Sequence, residues 1–189
     1  MIEKTLVILK PCTLQRGLVG EIINRFERKG LHLTGMKMVQ LTDEILSEHY
    51  SHLSSKPFFQ RVKNSMMAAP VIVCCLEGVD AIQVVHALAG PTNGRAATPG
   101  TIRGDYSMSY QENIVHTSDS PETAATELNR FFKPEEIFEY KQASFDFIYA
   151  CGPKPMMMAV AKSAFQRNIV CEVSLENRMA CGIGACLCC

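Results

Sequence analysis

His116 closes a short apolar run (Ile114, Val115) and is followed at once by Thr117, Ser118, Asp119, Ser120 and Pro121. A neutral imidazole is a good nucleophile near pH 7, and the hydroxyls beside it, with Arg103 upstream, could hold the charged group it attacks. The chemistry this suggests is phosphoryl transfer. Taken singly, each residue also has a plainer reading. His116 could be a solvated loop histidine, Lys10 a strand-end lysine, Arg103 a loop arginine paired with Asp105, and Phe58 with Phe59 part of a core. His49, His52 and His86 carry no metal-ligand spacing with acidic partners and read as non-ligands.

These residues need elements to position them. The run Ile114–His116 reads as a strand delivering His116 to its carboxyl end, and Ser120 caps the following helix, Glu122–Phe132. Earlier, Lys4–Lys10 (KTLVILK) reads as a buried strand stopped by Pro11. Gly17–Lys29 carries Leu18, Ile22, Ile23 and Phe26 at helical spacing before Gly30. His32–Gln40 and Pro70–Leu76 read as strands, while Thr42–His52, Phe58–Met67 and Val79–Leu88 read as helices. Pro91–Glu112 reads as a long loop. The order β-α-β-α-α-β-α-loop-β-α predicts an α+β fold: a ferredoxin-like split βαβ sandwich with a four-stranded antiparallel sheet and helices on one face.

Composition narrows the function classes. The 189 residues carry 19 basic and 19 acidic side chains, for a formal net charge of zero. That balance argues against a dedicated nucleic-acid binder or a polybasic membrane anchor. The early apolar run Leu6–Leu9 is too short for a signal peptide or a membrane span, so a cytoplasmic protein is expected. The cysteines are uneven. Cys12, Cys74 and Cys75 lie in the first 150 residues, and six of the nine crowd the remainder. An odd total without a secretory signal does not suggest a disulfide framework, and the terminal cluster suggests metal or cluster ligation.

With these words laid out, residues 1–149 resemble nucleoside diphosphate kinase along their whole length. The resemblance is carried by TLVILKP (5–11), QRGLVGEIINRFERKG (15–30), PGTIRGDY (99–106) and NIVHTSDSPE (113–122). It implies a ping-pong phosphotransferase that moves the γ-phosphate of a nucleoside triphosphate onto His116 and then onto a nucleoside diphosphate. Lys10 and Arg103 match the family's phosphate ligands, Thr92 its β-phosphate hydroxyl, and Asn113 the amide at the sugar hydroxyl. Glu127 matches the carboxylate that orients the imidazole, with Ser118 beside it, and Tyr50 the phenol that donates to the catalytic region. Phe58 and Val62 fall where the family clamps the base. The resemblance further implies Mg²⁺ bridging the phosphates and a homo-hexamer or tetramer. Three positions depart from the family pattern. His86 stands where an arginine binds the β-phosphate, Cys12 replaces an aspartate, and Gly94 replaces a proline, which should loosen its loop.

From about Phe145 the chain resembles the iron–sulfur end of the dihydroorotate dehydrogenase electron-transfer subunit, so residues 150–189 are expected to be a separate, incomplete C-terminal appendage. There YACGP-x-PM would end a strand and open a helix. Cys181, Cys186 and Cys189 match three ligands of a [2Fe–2S] cluster, but the expected fourth is missing, which argues against an intact cluster. Ala159–Phe165 can form a helix with little to pack on. Two alternatives accompany the kinase reading: an iron–sulfur electron-transfer chimera, and a nucleotide-binding module whose catalysis has decayed through His86.

Overall fold

The computed structural model describes residues 2–140, 147–166 and 170–174. The chain divides into two compact units, Met1–Tyr140 and Lys141–Cys189. The boundary expected at 149/150 falls inside a strand of the second.

In the first unit the elements run β1 (Ile2–Leu9), α1 (Pro11–Gln15), α2 (Val19–Arg28), β2 (His32–Val39), α3 (Asp43–His49), α4 (Phe59–Met67), β3 (Val71–Val79), α5 (Ala81–Ala89), α6 (Ile102–Tyr106), β4 (Val115–Thr117) and α7 (Pro121–Phe131). The sheet order is β2-β3-β1-β4, and every pairing is antiparallel. Each split βαβ unit leaves a gap that a strand of the other fills, which is the ferredoxin-like arrangement the element order predicts.

The expectation of helices on one face is corrected. Along β1, Val7 and Leu9 enter one core with Ile22, Phe26 and Val85, while Leu6 and Ile8 enter a second with Leu46, Leu128 and Phe131. Helices α2 and α5 therefore cover one face, and α3, α4 and α7 the other. The unbroken apolar runs of β1 and β3 record this, since a strand buried on both faces has no polar alternation to show. Full burial of each such side chain stabilises the fold by roughly 1.5–3 kcal/mol.

The long loop is corrected as well. Gly94–Ala96 forms a 3-10 turn and Ile102–Tyr106 a short helix capped by Thr101, whose hydroxyl accepts from the Gly104 amide at 3.1 Å. Five residues are too few for a helical period to be read. Gly94 is buried, and a Cβ there would lie 2.3 Å from the Ser107 carbonyl oxygen, so a larger residue needs this turn to shift.

The second unit is a parallel pair, β5 (Phe147–Cys151) and β6 (Val170–Ser174), joined through α8 (Lys154–Gln166). The strand ends and the helix opens around the Gly152–Pro153 turn, where the sequence places that change. The helix is longer than expected and has a sheet of its own to pack on, burying Met157 and Ala164. Cys181, Cys186 and Cys189 lie outside the described residues.

Candidate active site

Side-chain alternation places His116 on the face shared with α3 and α7. Val115 and Ile114 go into the opposite core, so His116 between Val115 and Thr117 must turn the other way. Its backbone approach is strained. Ile114 has φ 72°, which a β-branched residue rarely adopts. The strained carbonyl accepts from the Lys10 amide at 2.9 Å and from the buried Thr13 hydroxyl, tying the start of β4 to the end of β1. That junction brings Lys10 and His116 to the rim of one cavity of about 600 Å³.

Glu127 projects from α7 toward His116. The Nε2–H of His116 donates to Glu127 Oε1 at 2.9 Å, and the Ser118 hydroxyl donates to Oε2 at 2.5 Å. Burial alone would raise the Glu127 carboxyl, but the hydrogen bonds from His116 and Ser118 hold it below the usual range, so it stays ionised and accepts only. The tautomer follows: with the proton on Nε2, Nδ1 keeps its lone pair.

Two cations approach the same end. Arg103 is buried, and its guanidinium donates to the main-chain carbonyls of Gly90 (2.6 Å), Val115 (2.7 Å) and Asn113 (3.2 Å). It is therefore not the partner of Asp105, which binds Arg25 and the Gly100 amide instead. Burial, and then the neighbouring Arg103 charge, push the Lys10 ammonium down to about 8. Its Nζ donates to the Gln111 carbonyl at 3.1 Å.

The cavity also gathers Phe58, Val62, His86, Thr92 and Asn113. Asn113 is buried; its amide donates to the Thr92 and Tyr110 carbonyls, and its Oδ1 has no hydrogen-bond partner. A buried acceptor left in this way suits a donor brought by a ligand. Phe58 is 39% exposed, more than a core phenylalanine would be. His86 Nε2 lies 3.5 Å from Asp119 Oδ1. The Tyr50 ring packs edge-on against His49, centroids 4.6 Å apart, and lies 6.1 Å from His116.

Sequence reasoning missed His49 and Arg130. The buried His49 ring lies edge-on to His116 at 4.5 Å, and its Nδ1 is 3.5 Å from Glu127 Oε1. Burial, followed by the His116 charge, pushes it down to about 3, so it is neutral at physiological pH. Its nitrogen, that of His116 and a Glu127 oxygen lie within 4.8 Å of one another, an assembly no local spacing announces. Arg130 donates to Glu48 Oε1 at 2.9 Å and approaches His49 Nδ1 at 3.4 Å. One signal was available: Arg130 lies one helical turn after Glu127 and so shares its face.

Comparison with known proteins follows the same outline. The family model for nucleoside diphosphate kinase matches residues 3–137. A nucleoside diphosphate kinase of Parabacteroides distasonis is 73% identical over 148 residues, covering 78% of this chain and 97% of that one. Among solved structures, that of a halophilic nucleoside diphosphate kinase from Halobacterium salinarum in complex with CDP superposes with a TM-score of 0.73 at 37% identity. It covers 75% of this chain and 95% of that one. A transition state mimic of the enzyme from Borrelia burgdorferi, with bound vanadate and ADP, superposes at 0.71 with 34% identity, over 75% and 93% of the two chains.

Proposed function

This chain belongs to the nucleoside diphosphate kinase family, and from that premise we propose that its phosphoryl transfer runs through His116. The protein is a phosphotransferase that moves the γ-phosphate of a nucleoside triphosphate to a nucleoside diphosphate. The observation that carries the residue assignment is the His116–Glu127–Ser118 hydrogen-bond chain, which leaves Nδ1 as the unprotonated nitrogen at the cavity.

In the first half-reaction Nδ1 attacks the γ-phosphorus, the bond to the bridging oxygen breaks, and the nucleoside diphosphate leaves with that electron pair. In the second, an acceptor diphosphate takes the phosphoryl group by the reverse path. One pocket serves both halves. As His116 takes up positive charge, ionised Glu127 stabilises it without moving a proton. Lys10 and Arg103 place positive charge beside the transferred oxygens, where charge spreads in the transition state. Thr92 and His86 are assigned to the β-phosphate and the orphaned Asn113 Oδ1 to a sugar hydroxyl. Phe58 and Val62 are assigned to the base, with Tyr50 packing the reaction centre. Apolar contact reads a base's face, not its edge, and so suits a broad nucleotide range.

Mg²⁺ fits as a substrate-borne ion. No cage of free carboxylates converges on the cavity among the described residues: Glu127 is engaged by His116 and Ser118, Glu48 by Arg130, and Asp119 and Glu122 are exposed. Such a donor set suits an ion that would be held by phosphate oxygens and water, and its charge would offset that of the phosphates.

The reading extends to a homo-oligomer, hexamer or tetramer, supported by Met36 and Met38 exposed on edge strand β2. The reading includes a cytoplasmic location; separately, no helix among the described residues is long and apolar enough to cross a membrane. Residues 1–149 form the kinase domain in this reading. Residues 150–189 form an appendage whose likeness to an iron–sulfur subunit rests on Cys181, Cys186 and Cys189, without support from the comparisons.

Incubation with γ-labelled ATP and no acceptor tests the assignment. Acid-labile, base-stable label should form on the protein and pass to added GDP. Label that persists in His116→Ala overturns it.

A further inference from the structure

Lys63 is buried, yet it lies outside the chemistry described above. It sits on α4, and its ammonium reaches Asp43 at the start of α3, 2.7 Å from Oδ1 and 2.9 Å from Oδ2. It also donates to the Ser47 hydroxyl at 3.2 Å and lies 4.9 Å from the centre of the Phe59 ring. Ser47 in turn donates to Asp43 Oδ2 at 3.3 Å. A buried ammonium is costly unless paired and hydrogen-bonded, so this cluster fixes one geometry between the two helices.

What the helices carry gives that geometry its consequence. The end of α3 bears His49 and leads into Tyr50, both packed near His116, and α3 is tied to α7 by the Glu48–Arg130 pair. The start of α4 bears Phe58 and Val62, which line the same cavity. The side-chain ion pairs therefore run in series: α7 holds α3 through Arg130, and α3 holds α4 through Lys63, while the Gln111 and Gln40 amides donate to the α4 carbonyls of Arg61 and Met67, each at 3.0 Å. Met66, with Phe59, Val62 and Met67 beside it, supplies the apolar anchor for α4, but contacts of that kind do not fix a direction.

We propose that the Lys63–Asp43 pair is a positioning device that holds the base-facing edge of α4 at its working distance from the phosphate end of the site. The proposal rests on the reading that the base packs on Phe58 and Val62. Breaking the pair loosens α4, whose remaining polar contacts to Gln111 and Gln40 carry no charge, while leaving α3, Glu127 and His116 in place. It should therefore weaken nucleotide binding without slowing His116.

The test measures two reactions on the full-length chain. One is phosphotransfer to nucleoside diphosphates; the other is phosphorylation of His116 by phosphoramidate, a donor with no base. Lys63→Met should raise the KM for nucleotides about 5- to 20-fold while the phosphoramidate rate stays within about twofold. Asp43→Asn should do the same, and the double variant should be no worse than either single one, because all three remove one interaction. Lys63→Arg, which keeps charge and donors, should recover most of the loss. If Lys63→Met fails to fold, the milder Asp43→Asn carries the test. A lower melting temperature with unchanged KM, or equal losses in both reactions, overturns the proposal. Phe58→Ala separates the two readings. If it raises KM while the latch variants do not, the latch falls alone; if neither raises KM, the base assignment falls and takes the latch with it.

Discussion

The two ends of the cavity are built differently. At the phosphate end, His116, Glu127, Ser118 and Arg103 come from β4 and the loop after it, α7 and α6, and apart from the free His116 Nδ1 they are bound to one another or to main-chain carbonyls. At the base end, Phe58 and Val62 stand on α4, with Phe58 partly exposed and the half-exposed Asp43 pairing with the buried Lys63 of their helix. The lesson is a division of labour. Chemistry that depends on tenths of an ångström is braced by the sheet, whereas recognition that tolerates different bases is hung on a helical hairpin.

Substitutions at each end should break that contrast in different observables. The largest effect belongs to Glu127→Gln, which removes the charge that fixes the His116 tautomer. Phosphorylation of His116 in a single turnover should fall on the order of 10–100-fold with nucleotide KM little changed. At the other end, Phe58→Ala should raise nucleotide KM about tenfold, the low side of a stacking contribution of about 1–3 kcal/mol. It should leave phosphorylation by a base-free donor intact.

Lys10 sharpens the contrast through pH. Its folded value of about 8 lies below the unfolded 10.5, so between these the folded state binds fewer protons and its stability rises with pH. A phosphate beside the ammonium favours the charged form. Nucleotide affinity should thus fall above about pH 8, with proton uptake on binding there, measurable by calorimetry in buffers of different ionisation heat. A smaller change is expected of His86→Arg, which supplies a permanent charge and a bidentate fork and should lower KM several-fold.

The smallest effect concerns folding alone. His49 is held near 3 when folded and sits near 6.5 when unfolded, so its contribution is complete above 6.5 and declines as the pH falls toward 3. Glu127, held below its usual range, loses stability in the same direction. His49→Gln should flatten the acid side of a melting-temperature profile without removing it.

Several elements were legible because their signals are local. Ser120 before Pro121 announced the start of α7, and its hydroxyl accepts from the Thr123 amide at 3.1 Å. Thr42 did the same for α3, accepting from the Ile45 amide. The short helix α6 was not legible, since its cap pattern fills barely one turn. The tight packing at Gly94 was not legible for another reason: its neighbour Ser107 is close only in space. His49 escaped notice because its partners on β4 and α7 are distant in sequence.

The sequence by itself determined the order of the main strands and helices, the apolar character of β1 and β3 and the family words around His116. These depend on periodicity, capping and residue type, which neighbours along the chain express. Only the tertiary structure decided which nitrogen of His116 is free, that Arg103 is clasped by three carbonyls, that His49 is neutral and that Lys63 ties two helices. Each of those rests on burial and on contacts between distant segments, and both come into being when the chain closes on itself.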